Sequence, residues 1–243
     1  MPASPPPTIT VITACFNSAS SIEATLRSVL AQDYPDLEFV VVDGASSDGT
    51  LGIIRRHSGR IATLLSEPDR GVYDAMNKGI RLAQGEYLLF MNAGDVFAAD
   101  DVLSKAAASA DADVVYGDFE YTAGSRKGRV SADIDKGVFN HQCILYRRSL
   151  HATFGEYAVV KGLTASDYLF FMHLRASGRA SFRKLDLVFS RVDANGMSAG
   201  LQTFLQVNLA DGLLQRRGRY EVAWRIAVHP LFDFVRRLAR RFL

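Results

Sequence analysis

Four short apolar segments, at residues 8–14, 37–42, 61–65 and 86–91, alternate with stretches of helical spacing. Their apolar residues run on continuously instead of alternating, the pattern of strands covered on both faces of a parallel sheet. Strand, helix, strand in regular succession predicts an α/β fold. In such folds ligands bind beyond the carboxyl ends of the strands. Polar residues stand at three of those ends: Asn17, Asp43, and the run from Asn92 to Asp95.

The helical stretches carry their own signals. Ser20 followed by Glu23 predicts a capping box, with Ile22, Leu26, Val29 and Leu30 on the buried face behind it. Residues 72–83 place Val72, Met76, Ile80 and Ala83 on one face. Beyond Asp111 the pattern is less regular, with strands expected at 113–116, 138–146 and 182–192 and a helix at 167–177. The expected organisation is a flexible leader over 1–7, one domain over 8–195, and a helical, basic segment over 196–243. The leader has neither the basic n-region nor the apolar core of a signal peptide.

The chain has 243 residues, 48% of them hydrophobic and 22% charged, enough apolar material for a sizeable core. Its formal net charge of +2 argues against a globally basic nucleic-acid binder. Two cysteines without metal-ligand spacing, Cys15 and Cys143, fit a reducing compartment. Charge is nevertheless segregated. Residues 216–243 hold eight arginines against two acids, and the remainder is net acidic.

No Gly-x-Gly-x-x-Gly follows the first strand, and there is no P-loop and no Gly-x-Ser-x-Gly elbow. What remains is a set of carboxylates at strand ends, with few nitrogen ligands. That chemistry suits a hard divalent cation, Mg²⁺ or Mn²⁺, most naturally one that bridges phosphates.

Residues 12–17 (ITACFN), 41–50 (VVDGASSDGT), 66–79 (SEPDRGVYDAMNKG) and 85–95 (GEYLLFMNAGD) resemble, in order, the motifs of family 2 inverting glycosyltransferases. Within that family the likeness is to bacterial enzymes of exopolysaccharide and glycolipid assembly. Tyr116-Gly117-Asp118, His141-Gln142 and Ser166-Asp167-Tyr168 extend it, so that it covers residues 8–195. The resemblance implies a GT-A fold, a mainly parallel sheet flanked by helices, and a nucleotide-diphosphate sugar as donor.

The same resemblance implies roles. Phe16, with Asn17 beside it, matches the aromatic next to the nucleotide base, where a ring face stacks without regard to sequence; a core phenylalanine is the plainer alternative. Asp43 matches the carboxylate that accepts from the base, or is a turn aspartate. Asp69 and Arg70 match a loop near the diphosphate, or a solvated loop. Asn77 matches a residue tethering its helix, and Lys78 a surface charge. The family's Asp-x-Asp becomes Asn92-Ala93-Gly94-Asp95, with one carboxylate left for a cation. Asp95 is the expected metal ligand, with Asn92 near the donor and His141 or Asp118 completing the shell. Asp167 matches the catalytic base, which takes the acceptor's proton. Residues 196–198 match a flexible loop that closes over the donor, or are a plain domain linker.

Two other functions stay open on this reading: a sugar nucleotidylyltransferase, and an inactive scaffold in a polysaccharide assembly complex. The expected acceptor is a lipid-linked or glycan hydroxyl, and the expected location cytoplasmic, peripheral on the membrane. At 100° per residue Leu231, Phe234, Val235, Leu238 and Phe242 share one helical face. Arg236, Arg237, Arg240 and Arg241 oppose it, the arrangement of a helix lying on an anionic membrane surface, or of one packing its apolar face on the domain with its arginines in water.

Overall fold

A computed structural model describes residues 7–123, 126–193, 201–214, 221–222 and 226. The first half runs β1 (Ile9–Cys15), α1 (Ile22–Leu30), β2 (Leu37–Asp43), α2 (Thr50–Arg55), β3 (Thr63–Ser66), α3 (Val72–Leu82) and β4 (Tyr87–Phe90). These four strands pair in parallel in the order β3-β2-β1-β4. Every residue of β1 and β4 is buried, which is why both segments are apolar throughout. The chain moves outward from β1 to β2 and β3, then returns across the sheet to β4. That reversal opens a crevice between the carboxyl ends of β1 and β4.

The helices that cover this half follow the apolar spacing. On α1, Ile22, Leu26, Val29 and Leu30 are buried as expected, but the capping box does not form. Glu23 instead accepts from Arg27 at 2.7 Å and lies 3.2 Å from His57, so neighbouring cations have drawn it off the helix end. Helix α3 sits directly on β1. A Cβ at its Gly79 would come within 2.4 Å of the Ile12 side chain, so only glycine allows that approach.

The second half continues with β5 (Val96–Phe97), α4 (Val102–Ala107), β6 (Val114–Ala123), β7 (Arg126–Val130), β8 (Ile144–Arg147), α5 (Leu150–Phe154), α6 (Ser166–Ser177), β9 (Phe182–Asp193) and α7 (Leu201–Leu213). Strand β8 lies antiparallel between β4 and β6, which restores the original direction for β6 and β9. Six strands therefore run one way, and the short β5, β7 and β8 oppose them. The sheet is mostly parallel, as expected, with a mixed far side.

One expected strand is corrected. Residues 138–146 do not form a single strand: His141–Cys143 make a turn of 3₁₀ helix, closed by the Cys143 N–H donating to the Asn140 carbonyl at 3.1 Å. Only the residues from Ile144 enter the sheet. The turn lifts His141 and Gln142 out of the strand and toward the crevice. Residues 196–198 and the amphipathic stretch 231–243 lie outside the described residues. Helix α7 docks through Asp211, which accepts from the Tyr168 hydroxyl at 2.7 Å.

Candidate active site

A cleft of about 900 Å³ occupies the crevice. The end of β1 supplies Phe16, the β4 end supplies Asn92 to Asp95, the start of α3 supplies Tyr73, and the 3₁₀ turn supplies His141 and Gln142. Asp167 enters from the first turn of α6. No lysine or arginine is among the described residues that line it.

Asp167 is at the centre. Its Oδ2 lies 2.7 Å from His141 Nδ1, and its Oδ1 accepts from the Tyr73 hydroxyl at 2.6 Å. Burial alone would raise its pKa, but the His141 hydrogen bond and charge and the Tyr73 hydroxyl outweigh it and hold the carboxyl below its ordinary value. Burial pulls His141 down, while Asp167 and, further off, Asp95 pull it up, leaving it above the usual imidazole value. Burial and the Asp167 charge push Tyr73 far up, so it stays a donor.

His141 was expected to complete a metal shell; here one ring nitrogen faces Asp167 and the other, Nε2, lies 3.1 Å from Asn92 Nδ2, so both face protein groups. Asp118, the other candidate for that shell, bonds Arg129 at 2.8 Å and the Ala132 N–H at 3.1 Å, with Lys184 at 3.3 Å. Among the described residues no three His, Cys, Asp or Glu side chains gather as a metal centre.

Asp95, the expected metal ligand, lines the cleft. Its Oδ2 accepts from Gln142 at 2.6 Å, and burial raises its pKa despite that bond. Among the described residues its other oxygen takes no hydrogen bond. The donor set therefore offers a divalent cation one free protein oxygen, and fits a cation whose other ligands come from phosphates and water.

At the opposite end Phe16 presents a ring that is 60% exposed at the mouth of the cleft. Gly44 makes room there: a Cβ on it would meet Asp69 Oδ2 at 2.3 Å and the Phe16 ring at 3.3 Å. Asp69 lines the cleft and accepts from the Gly71 N–H at 2.8 Å. Three other expected site residues are bonded to protein groups. Asp43 is fully buried, its oxygens taken by the Ser46 N–H and, at 2.7 Å, by the Ser66 hydroxyl. Asn17, at a positive φ of 46°, accepts from the Ser47 N–H and ties two loops together. Arg70 is largely exposed and reaches back to Asp74 at 3.1 Å. Asn77 does tether α3, exchanging hydrogen bonds with the Tyr157 backbone at 2.8 and 3.0 Å.

Tyr73 and Gln142 are the functional residues that sequence reasoning passed over. Tyr73 sits beside the apolar stripe of α3 in a helix buried on more than one face. Gln142 was legible only as the neighbour of His141.

The fold and cleft define a GT-A glycosyltransferase fold. Residues 10–164 match the description of glycosyl transferase family 2, and the chain belongs to that family. A PGL/p-HBAD biosynthesis glycosyltransferase of Mycobacterium tuberculosis is 36% identical over 162 residues, 62% of this chain and 63% of that protein. The match thus spans under two thirds of that relative's length. Among solved structures, the mannosyltransferase PcManGT of Pyrobaculum calidifontis, in complex with GDP-Man and Mn²⁺, is 26% identical with a TM-score of 0.68. It covers 88% of this chain and 65% of that one. S. aureus TarS in complex with UDP-GlcNAc is 21% identical, also with a TM-score of 0.68, and covers 90% of this chain and 70% of that one.

Proposed function

We propose that the chain transfers a sugar from a nucleotide-diphosphate donor to an acceptor hydroxyl, with inversion at the anomeric carbon. The observation that carries this reading is Asp167: an ionised, nearly buried carboxylate fixed by His141 and Tyr73 within the cleft. The acceptor oxygen attacks the anomeric carbon and gives its proton to Asp167. The bond from that carbon to the diphosphate breaks, and its electron pair leaves with the nucleotide diphosphate. His141 and Tyr73 aim the carboxylate, and the Phe16 ring offers the base a stacking face.

A Mg²⁺ or Mn²⁺ ion carried by the donor would meet Asp95 and stabilise charge on the departing phosphates. A cleft lined by carboxylates and, among the described residues, without lysine or arginine supports that reading, since a bare diphosphate would be repelled.

The acceptor is read as lipid-linked or a glycan. The relative named for PGL/p-HBAD biosynthesis supports this, as do the apolar residues Val72, Phe119, Tyr121 and Val192 that line the cleft. The arginine-rich sequence pattern of 231–243 supports docking on an anionic leaflet from the cytoplasmic side. Among the described residues no helix is long and apolar enough to cross a membrane.

The test is release of nucleotide diphosphate across a panel of nucleotide sugars, with Asp167→Asn in parallel. The amide should bind nucleotide as the parent does while turnover falls about 10²-fold or more. Wild-type turnover in the variant removes Asp167 from the chemistry. Binding without release for every donor and acceptor favours a scaffold.

A further inference from the structure

Asn92 stands where the family motif carries an aspartate, and its amide has three neighbours that agree on its orientation. The Ala14 N–H can only donate, and it points at Asn92 Oδ1 from 3.1 Å. The Met76 thioether can only accept, and it lies 3.9 Å from Asn92 Nδ2. The remaining hydrogen on Nδ2 is then directed at His141 Nε2, 3.1 Å away. Turning the amide over would orphan the Ala14 N–H and set an oxygen against the sulfur.

A nitrogen that receives an N–H donor must present its lone pair. We propose that Asn92 is a positioning residue that sets the tautomer of His141, proton on Nδ1 and lone pair on Nε2, so that the ring donates to Asp167. The proposal rests on Asp167 being the base.

The groups facing the ring are Asp167, Asn92 and, edge to face at 6.3 Å, Phe90, with Asp95 acting through its charge. The two carboxylates favour an imidazolium. Against them stand burial and the Asn92 amide, whose N–H would confront a second ring N–H across 3.1 Å. Three donors consequently point one way along a chain: Asn92 to His141, His141 to Asp167 Oδ2, and Tyr73 to Asp167 Oδ1. A donor held in that tautomer aims the carboxylate and keeps it ionised, ready to take the acceptor's proton. An aspartate at position 92 reverses the first link. A carboxylate accepts only, so it calls for a proton on Nε2 and favours the charged ring.

The experiment uses the full chain labelled with ¹⁵N-histidine, and long-range ¹H–¹⁵N correlations at about pH 8, above the ordinary imidazole range. His141→Gln identifies the signal among the five histidines. The expected spectrum is a neutral ring protonated on Nδ1. In Asn92→Asp the ring should become doubly protonated, with turnover down about tenfold and the donor KM within about threefold. A wild-type ring protonated on Nε2, or on both nitrogens, overturns the proposal even if the variant does not fold. So does an Asn92→Asp ring unchanged from the parent. Full activity in Asp167→Asn would instead sink the base assignment and leave the ring measurement standing.

Discussion

Tyr73 and Asp167 are separated by 94 positions in the chain, yet the hydroxyl of the first donates to Oδ1 of the second at 2.6 Å. The bond joins α3, which lies on the parallel half of the sheet, to α6, which belongs to the mixed half. It also helps to keep the carboxylate ionised.

Tyr73→Phe removes one of the groups that lower the Asp167 pKa. The carboxylate then protonates at a higher pH, so the acid limb of turnover should move upward. Near neutrality the lost orientation should cost about tenfold, the worth of one hydrogen bond to a charged group. A pH profile superimposable on the parent's would show that the hydroxyl plays no part.

Phe16→Ala tests the stacking face. Loss of a base–aromatic stack is worth about 1–3 kcal/mol, roughly 5- to 150-fold in nucleotide affinity. Phe16→Trp should retain most of it. Because the ring is largely exposed, thermal stability should hardly change, and calorimetric titration with a nucleoside diphosphate separates the two effects.

A cation that finds one protein oxygen should bind the free chain weakly and the nucleotide-loaded chain tightly. Mn²⁺ binding followed by paramagnetic relaxation should therefore strengthen at least about tenfold when nucleoside diphosphate is present. Asp95→Ala should abolish that gain. Tight stoichiometric binding to the free chain would mean that other residues form the site.

Asp118→Asn should lower stability and spare donor binding. Burial raises the Asp118 pKa, but Arg129, the Ala132 N–H and Lys184 overcome it and hold it low. A carboxyl depressed in the folded state contributes stability above its unfolded value, and that contribution is lost as pH falls through the folded one. At neutral pH the midpoint should drop on the order of 5 °C, and the gap between parent and variant should close in acid. An equal gap at every pH would contradict the ionic account.

Deleting residues 231–243 should end co-sedimentation with anionic vesicles while donor hydrolysis by water persists. Undiminished sedimentation would remove the tail from membrane docking.

The parallel half was legible because strands buried on both faces leave an unbroken apolar trace, and their polar ends announce the cleft. Asp95 stands at such an end; Phe16, Asp69 and Asp167 were reached through the resemblance to family 2 glycosyltransferases. The mixed half was not legible that way. A turn at His141 interrupts what reads as one strand, and the β6–β9 pairing shifts register around Gly117. Motif position also could not reveal that Asp43 is fully buried on Ser46 and Ser66, or that both His141 nitrogens are engaged. Those outcomes depend on which donors lie within 3 Å or so, a property of packing between distant segments.

The 3₁₀ turn at 141–143 has one more consequence. Consecutive residues on it grip two different carboxylates, His141 at Asp167 and Gln142 at Asp95. On the proposed mechanism the turn is a spacer of fixed length between the carboxylate that would receive the proton and the one that would stand beside the departing phosphates. Neither end can drift without the other, so the width of the gap that would hold the sugar ring is written into a single turn of backbone. Lengthening it by one residue would recalibrate both ends at once.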